Sequence, residues 1–458
     1  RAPPDPGGYG AALRAAGFGG PAVPASPEPG GAPARHSPGP REAPVRAFAK
    51  LDRPLLLVTL ALAAYGVLIL YSAGQTDVPT SVAHVWQRQL VWFGIGIVGA
   101  ALAMRFSPRV LEWFAPALYG AGLTILVITL FIGTGGGTAV SSRSWITIAG
   151  VRLGQPAEFA KLTTVLMLAR YLAGQRAPAA TMRELIPPCL IAAAPAALVM
   201  LQPDLGSAVV FAGILFAMLF WAGVRIPLLV LLASPILSLV LAFSAWSWGG
   251  WILILCVLLV LWRPYVWEGL AVLGANLAMG IVALPLWQRL ATYQQHRLVS
   301  FLNPELDPRA TGWHIIQSKI AIGSGGWLGK GFTMGSQKRL AFLPAQHTDF
   351  IFSVVGEELG FIGVVVALAL FFLLLGTLIR IARRAPDPFG SLVAFGVVGV
   401  FFTHIFENVG MTANVMPITG IPLPFFSYGG SFLLTCWVMV GLCLRLAQEG
   451  KELGYREL

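Results

Sequence analysis

The chain has 458 residues, of which 56% are hydrophobic and only 11% charged, and its net charge is +11. A soluble protein carries roughly a quarter of its residues as charges, so this composition excludes a water-covered globule. It also removes nucleic-acid binding as the reason for the positive charge. The apolar residues run continuously over lengths that cross a bilayer as helix, not in the short alternating segments of a membrane β-barrel.

Residues 1–50 are rich in Pro, Gly and Ala. That composition cannot bury a core, so a disordered tail is expected there, and it contains no apolar signal-peptide region. Helical spans are expected near 54–73, 89–104, 110–133, 156–173, 186–201, 206–223, 227–245, 249–262, 268–287, 350–379, 390–411 and 425–446. The total is about twelve, and the short runs over 186–262 are also readable as broken or tilted helices.

Positive charge sets the orientation. Arg46, Lys50 and Arg53 precede the first span, and Arg105 and Arg109 follow the second. Arg170, Arg176 and Arg183 follow the fourth, Arg225 the sixth and Arg263 the eighth. Arg380, Arg383 and Arg384 follow the tenth, and Arg445, Lys451 and Arg456 the last. All share one side if both termini are cytoplasmic, with 451–458 a short cytoplasmic tail. Two long loops, 134–154 and 288–349, then lie outside, and the second is long enough to be functional. It carries Arg289, Arg297, Arg309, Lys319, Lys330, Lys338 and Arg339. Either it is a solvated loop, or it receives an anionic group such as a phosphate.

Ionisable groups inside spans are costly and need a partner or a task. Glu158 and Lys161 share one helix face at i, i+3, as a neutralising pair or as part of a polar cavity. Asp204 follows Pro203 in a sharp turn and suits a helix N-cap. Asp349, where the outer loop meets the tenth span, suits either an N-cap or a catalytic carboxylate at the membrane surface. Glu357 and Glu358 follow two turns later, with one of them expected to face the same cavity. The Pro- and Gly-rich stretch Gly420 to Ser431 reads as a buried, non-helical approach to the last span. The four cysteines, Cys189, Cys256, Cys436 and Cys443, show no metal-ligand spacing and read as buried thiols.

Five segments stand in a characteristic order: Gln155-Pro156-Ala157-Glu158-Phe159-Ala160-Lys161; Leu201-Gln202-Pro203-Asp204-Leu205-Gly206; Gln317 to Gly326; His347-Thr348-Asp349-Phe350-Ile351-Phe352 with Glu357-Glu358-Leu359-Gly360; and Gly420 to Ser431. Together they resemble the SEDS family of glycan polymerases (RodA, FtsW and SpoVE). Lys319 within Gln-Ser-Lys-Ile-Ala-Ile is similar to the RodA branch.

The resemblance implies an all-α, polytopic transmembrane bundle in the bacterial cytoplasmic membrane, with residues 51–450 as its domain. It implies polymerisation of lipid II into β-1,4 glycan with inversion and release of undecaprenyl pyrophosphate, during cell elongation and shape maintenance. A class B penicillin-binding protein, other elongation-complex membrane proteins and membrane lipid are the implied partners. Asp349 matches the family's essential aspartate and is the expected base. Lys319 and Arg339 are the expected cations at the pyrophosphate, with His347, Gln317 and Ser427 also touching substrate. Glu158, Lys161, Asp204 and Glu357 are expected to build the cavity. No cofactor is specified. A divalent cation, Mg or Mn, is compatible with the chemistry, though no ligand cluster marks a site. The family has about ten spans, so 223–288 is expected to contain an inserted apolar pair, which preserves parity. Two rival readings are a lipid II flippase, with Glu158, Lys161 and Asp204 along its path, and a non-catalytic scaffold of the wall-synthesis complex.

Overall fold

The computed structural model describes residues 51–77, 80, 82–135, 144–148, 151–290, 292–302, 311–343 and 345–452. The tail expected over 1–50, Arg309 and Arg456 lie outside these residues.

Twelve helices coincide one for one with the expected spans. They are α1 (Arg53–Ala73), α2 (Val85–Ala103), α3 (Pro108–Ile132), α4 (Pro156–Ala173), α5 (Ile186–Leu201), α6 (Leu205–Trp221), α7 (Ile226–Leu241), α8 (Ala245–Trp262) and α9 (Val266–Arg289), then, after three loop helices, α13 (Ile351–Arg384), α14 (Pro388–Thr412) and α15 (Gly430–Glu452). The loop helices are α10 (Thr292–Leu302), α11 (Thr311–Ser324) and α12 (Ser336–Arg339). A small hairpin, β1 (Ile146–Ile148) and β2 (Val151–Gly154), precedes α4. Among the described residues, eight of the twelve helices are long and apolar enough to cross a membrane by length and composition, α5 when taken with the 3-10 turn Arg183–Leu185 that leads into it, and α6 and α7 are shorter apolar helices.

Local sequence explains where several helices start. The Asp52 carboxylate accepts the Leu55 N–H at 3.0 Å and Pro54 sits in the first turn of α1, where a missing N–H costs nothing. Asp204 caps α6 by accepting the Ser207 N–H at 3.0 Å, as its position after Pro203 predicts.

Contacts at one end of the bundle join the basic helix ends. Arg380 Nη2 lies 2.7 Å from the Asp52 carboxylate, Lys451 donates to the Leu51 carbonyl at 3.3 Å, and Arg170 donates to the Glu112 carbonyl at 2.7 Å. Asp349 lies at the opposite end, called the site end below.

Helix α14 runs through the centre, between α4, α6, α13 and α15, and is largely buried. Helices α7 to α9 form a satellite where the extra apolar pair is expected. They have their own small core of Leu231, Leu255 and Val272. Asn276 Nδ2 donates to Ser234 Oγ (2.8 Å), Trp251 donates to Asn276 Oδ1 (3.2 Å), and Trp248 donates to Ser238 Oγ (2.8 Å). Such side-chain bonds join helices where lipid offers no hydrophobic driving force between them.

Helix α13 is broken at Gly360 (φ 62°, ψ −157°). The glycine loop after α11 fills the break: Lys330 and Gly331 donate their N–H groups to the Glu357 and Glu358 carbonyls, both at 3.0 Å. In return Phe361 and Ile362 donate to the Gly326 and Trp327 carbonyls at 2.8 and 3.2 Å. Backbones this close leave no room for side chains. A Cβ on Gly329, at φ +79°, would lie 2.0 Å from the Glu358 carbonyl oxygen. Gly329→Ala is therefore expected to destabilise the protein by at least about 3 kcal/mol from backbone strain and the collision. Gly323→Ala, which would meet nothing within 4 Å, is the control, and thermal unfolding in detergent compares the two.

Candidate active site

Asp349 ends the loop before α13. The helix begins at Ile351 after Phe350, and no backbone N–H among the described residues donates to the Asp349 carboxylate. It is not a helix cap. Its backbone carbonyl is fixed instead, accepting from Asn408 Nδ2 at 2.9 Å, and the same amide donates to the Ile421 carbonyl at 2.7 Å.

The irregular strap over 413–429, which contains most of the Pro- and Gly-rich stretch expected over Gly420 to Ser431, clasps this loop. Ser427 Oγ donates to the Thr348 carbonyl at 2.6 Å and accepts the Leu423 N–H at 2.8 Å, while the Tyr428 N–H donates to the His347 carbonyl at 2.9 Å. Gly420 completes the fit: with φ +78°, it leaves the Asp349 carboxylate 3.5 Å from where a Cβ would stand.

Asp349 is half-buried. Burial pushes its carboxyl above the ordinary aspartate value, and the Arg297 guanidinium and Thr348 hydroxyl pull it partly back. Arg297, on α10, also donates to the Thr419 carbonyl of the strap at 3.4 Å. Burial, then Arg297, pushes the His314 imidazole down, and burial alone pushes the His347 imidazole down. The imidazoles are thus biased toward the neutral form, while the Asp349 carboxylate is made more basic than usual within the field of the Arg297 guanidinium.

A buried polar chain lies behind the strap. Lys161 Nζ is 2.8 Å from Glu158 Oε1 and 3.2 Å from His404 Nε2. Because the ammonium can only donate, His404 Nε2 accepts, and His404 Nδ1 donates to the Pro422 carbonyl at 2.9 Å. Gln155 Nε2 donates to Asp204 Oδ2 at 2.6 Å, and the Gln155 N–H donates to Ser431 Oγ at 3.2 Å. Beside these groups, a cavity of about 390 Å³ opens between α2, β2, α4 and α15. Trp92, Phe159, Leu162, Leu434 and Val438 line it, with Glu158 at its polar margin.

His347 adjoins Asp349, with its ring 6.2 Å from Tyr428. Ser427 is buried, with its hydroxyl occupied by the strap. Gln317 is buried on α11 with Oε1 unpartnered, and Lys319 is exposed on the same helix. Arg339 is drawn away to Asp77, at 2.8 Å. Glu357 turns to the glycine loop, 2.8 Å from Lys330 Nζ and accepting the Gln337 N–H at 2.8 Å. Glu358 is buried against Lys338, at 2.7 Å. Neither glutamate is brought to Asp349. Arg297, His404 and Asn408 are the neighbours that sequence reasoning did not select. No group of three or more His, Cys, Asp or Glu that could hold a metal gathers among the described residues.

The fold and the site define a class: a multi-pass helical membrane protein that holds a carboxylate and a guanidinium under an irregular strap at one end of its bundle. The model of the FTSW_RODA_SPOVE family, described as cell cycle protein, matches residues 53–250 and 249–452, and the chain belongs to that family. It is 35% identical over 434 residues to the peptidoglycan glycosyltransferase RodA of Treponema pallidum, covering 88% of this chain and 98% of that relative. It is 33% identical over 403 residues to the peptidoglycan glycosyltransferase MrdB of Escherichia coli K12, covering 88% and 95%. A solved chain from a peptidoglycan synthase complex that coordinates polymerization and crosslinking superposes with a TM-score of 0.64 at 29% identity, covering 89% of this chain and 99% of that one. The crystal structure of Thermus thermophilus RodA superposes with a TM-score of 0.57 at 28% identity, covering 89% and 98%.

Proposed function

We infer that the chain is a peptidoglycan glycosyltransferase of the bacterial cytoplasmic membrane, polymerising lipid II during cell elongation with Asp349 as general base. The observation that carries the assignment of the base is the Asp349 carboxylate itself, which caps no helix, is made more basic by burial and feels the charge of Arg297.

The acceptor's sugar hydroxyl attacks the anomeric carbon of the lipid-linked donor. The new C–O bond forms as the bond to pyrophosphate breaks, so the anomeric centre inverts. The hydroxyl proton passes to Asp349, and undecaprenyl pyrophosphate leaves with the bonding pair. Pyrophosphate needs no acid to depart, but its developing charge needs a cation, and Arg297, whose charge acts on Asp349, is the cation we assign to it. The apolar cavity beside Glu158 suits the start of the lipid tail, because its walls are Trp, Phe, Leu and Val. Crosslinking falls to a partner, which we take to be a class B penicillin-binding protein.

The transport reading asks for a polar path across the bilayer. Glu158, Asp204 and His404 all lie toward the site ends of α4, α6 and α14. Toward the other end, the buried side chains of these helices include Leu168, Leu219 and Val393.

The test is polymerisation of lipid II by the purified protein, with products sized on a gel. Glycan from the wild type supports the polymerase, and its absence with divalent cation supplied moves the reading to transport. Arg297 adds a pH signature. It holds the Asp349 carboxyl down, so Arg297→Gln lets that pKa rise, and the acid limb of kcat/KM is expected to move to higher pH. An unmoved limb would separate Arg297 from the base.

A further inference from the structure

The tip of the glycine loop, Trp327 and Leu328, is 73% and 77% exposed. Beside it on α13, Phe361 and Ile362 are 53% and 52% exposed, and the Trp327 and Phe361 rings meet edge to face at 5.0 Å. An apolar patch of this kind needs a cover, and its depth indicates which.

Helix α1 serves as a ruler. Its 21 residues span about 31 Å at 1.5 Å per residue, close to a hydrocarbon core of about 30 Å, so Ala73 marks the boundary at the site end. Ser72, next to it, donates to the Glu358 carboxylate. Tyr65, about two turns and roughly 12 Å deeper, donates its hydroxyl to the Gly363 carbonyl at 3.0 Å. The stretch from Glu358 to Gly363 therefore descends from the boundary into the apolar layer. Trp327 is bonded to Ile362 within that stretch, so the loop tip lies below the end of α1.

Irregular backbone at that depth is tolerated only when its polar groups are paired by protein. The reciprocal bonds between the loop and the Gly360 break do this, leaving side chains to face outward. Tryptophan is also the residue that favours the boundary between headgroups and acyl chains.

We propose that the Trp327–Leu328 tip is a re-entrant anchor inserted in the lipid leaflet at the site end. It fastens to the bilayer the same loop that carries α12 and leads into Asp349. Its partner is lipid, not a protein surface.

The test uses the full chain in phosphatidylcholine vesicles whose acyl chains are brominated either near the ester or near the methyl end. The chain has 14 tryptophans, so the emission of wild type minus Trp327→Phe isolates Trp327. Equal polymerase activity shows that the variant is folded. The expected result is loss of most of that difference emission with the shallow bromines, less with the deep ones, and no response to aqueous iodide. Quenching by iodide and not by bromolipid would place the tip in water and overturn the anchor. Insensitivity to bromolipid, with iodide access lost only when a penicillin-binding partner is added, would overturn it in favour of a protein-docking surface.

Discussion

Asp349→Asn is expected to lower glycan polymerisation by roughly 10²–10⁴-fold, the usual contribution of a positioned general base. The substitution is nearly isosteric. It leaves intact the bond from Asn408 to the residue's backbone carbonyl and the clasp of Ser427 on Thr348, so the loop should keep its shape. What disappears is the ability to accept a proton from the attacking hydroxyl. Lipid II polymerisation followed by gel sizing, with folding checked by partner binding, reads the effect. Wild-type rates from a folded Asn variant would return the residue to a structural role and require another base.

Lys338→Met is expected to act on stability instead, and strongly. Lys338 and Glu358 face each other at 2.7 Å with both side chains fully buried, and Lys338 Nζ also donates to Ser72 Oγ at 2.6 Å. Burial pushes the Lys338 amine down, and the bond to Glu358 pulls it part of the way back. Removing the ammonium alone strands a carboxylate, at a cost of about 3–5 kcal/mol. The clamp joining α12 to the end of α1 should open, lowering the unfolding temperature. In Lys338→Met/Glu358→Gln no charge is stranded, and most of the lost stability should return. A double variant no better than the single would show that the cost lies in packing around Lys338.

The spans were legible because a bilayer demands continuous apolar runs, and twelve such runs became twelve helices. Asp349 was singled out through the segment around it, but whether it capped a helix was not legible. That depended on α13 starting two residues later, a matter of geometry that a sequence does not display. Arg297 was one of seven basic residues in its loop, and unlike Lys319 it lies in none of the five characteristic segments. Its place is set by α10 folding back onto the strap over 413–429. His404 and Asn408 did leave a signal, as polar residues inside an otherwise apolar run. Lys338 was read with its loop as either solvated or anion-binding, and it is buried instead, because its partner Glu358 is supplied by a different helix.

The exchange of backbone bonds across Gly360 also constrains the order in which the molecule can assemble. Neither the glycine loop nor the broken turn of α13 can satisfy its own peptide groups, and they stand about thirty residues apart. Each would be an open wound in lipid without the other. The two must close together, so the loop at the site end, the clamp at Lys338 and the approach to Asp349 should form in one late, cooperative step. A chain caught before that step would already hold its apolar helices and yet lack the approach that presents Asp349, the proposed base.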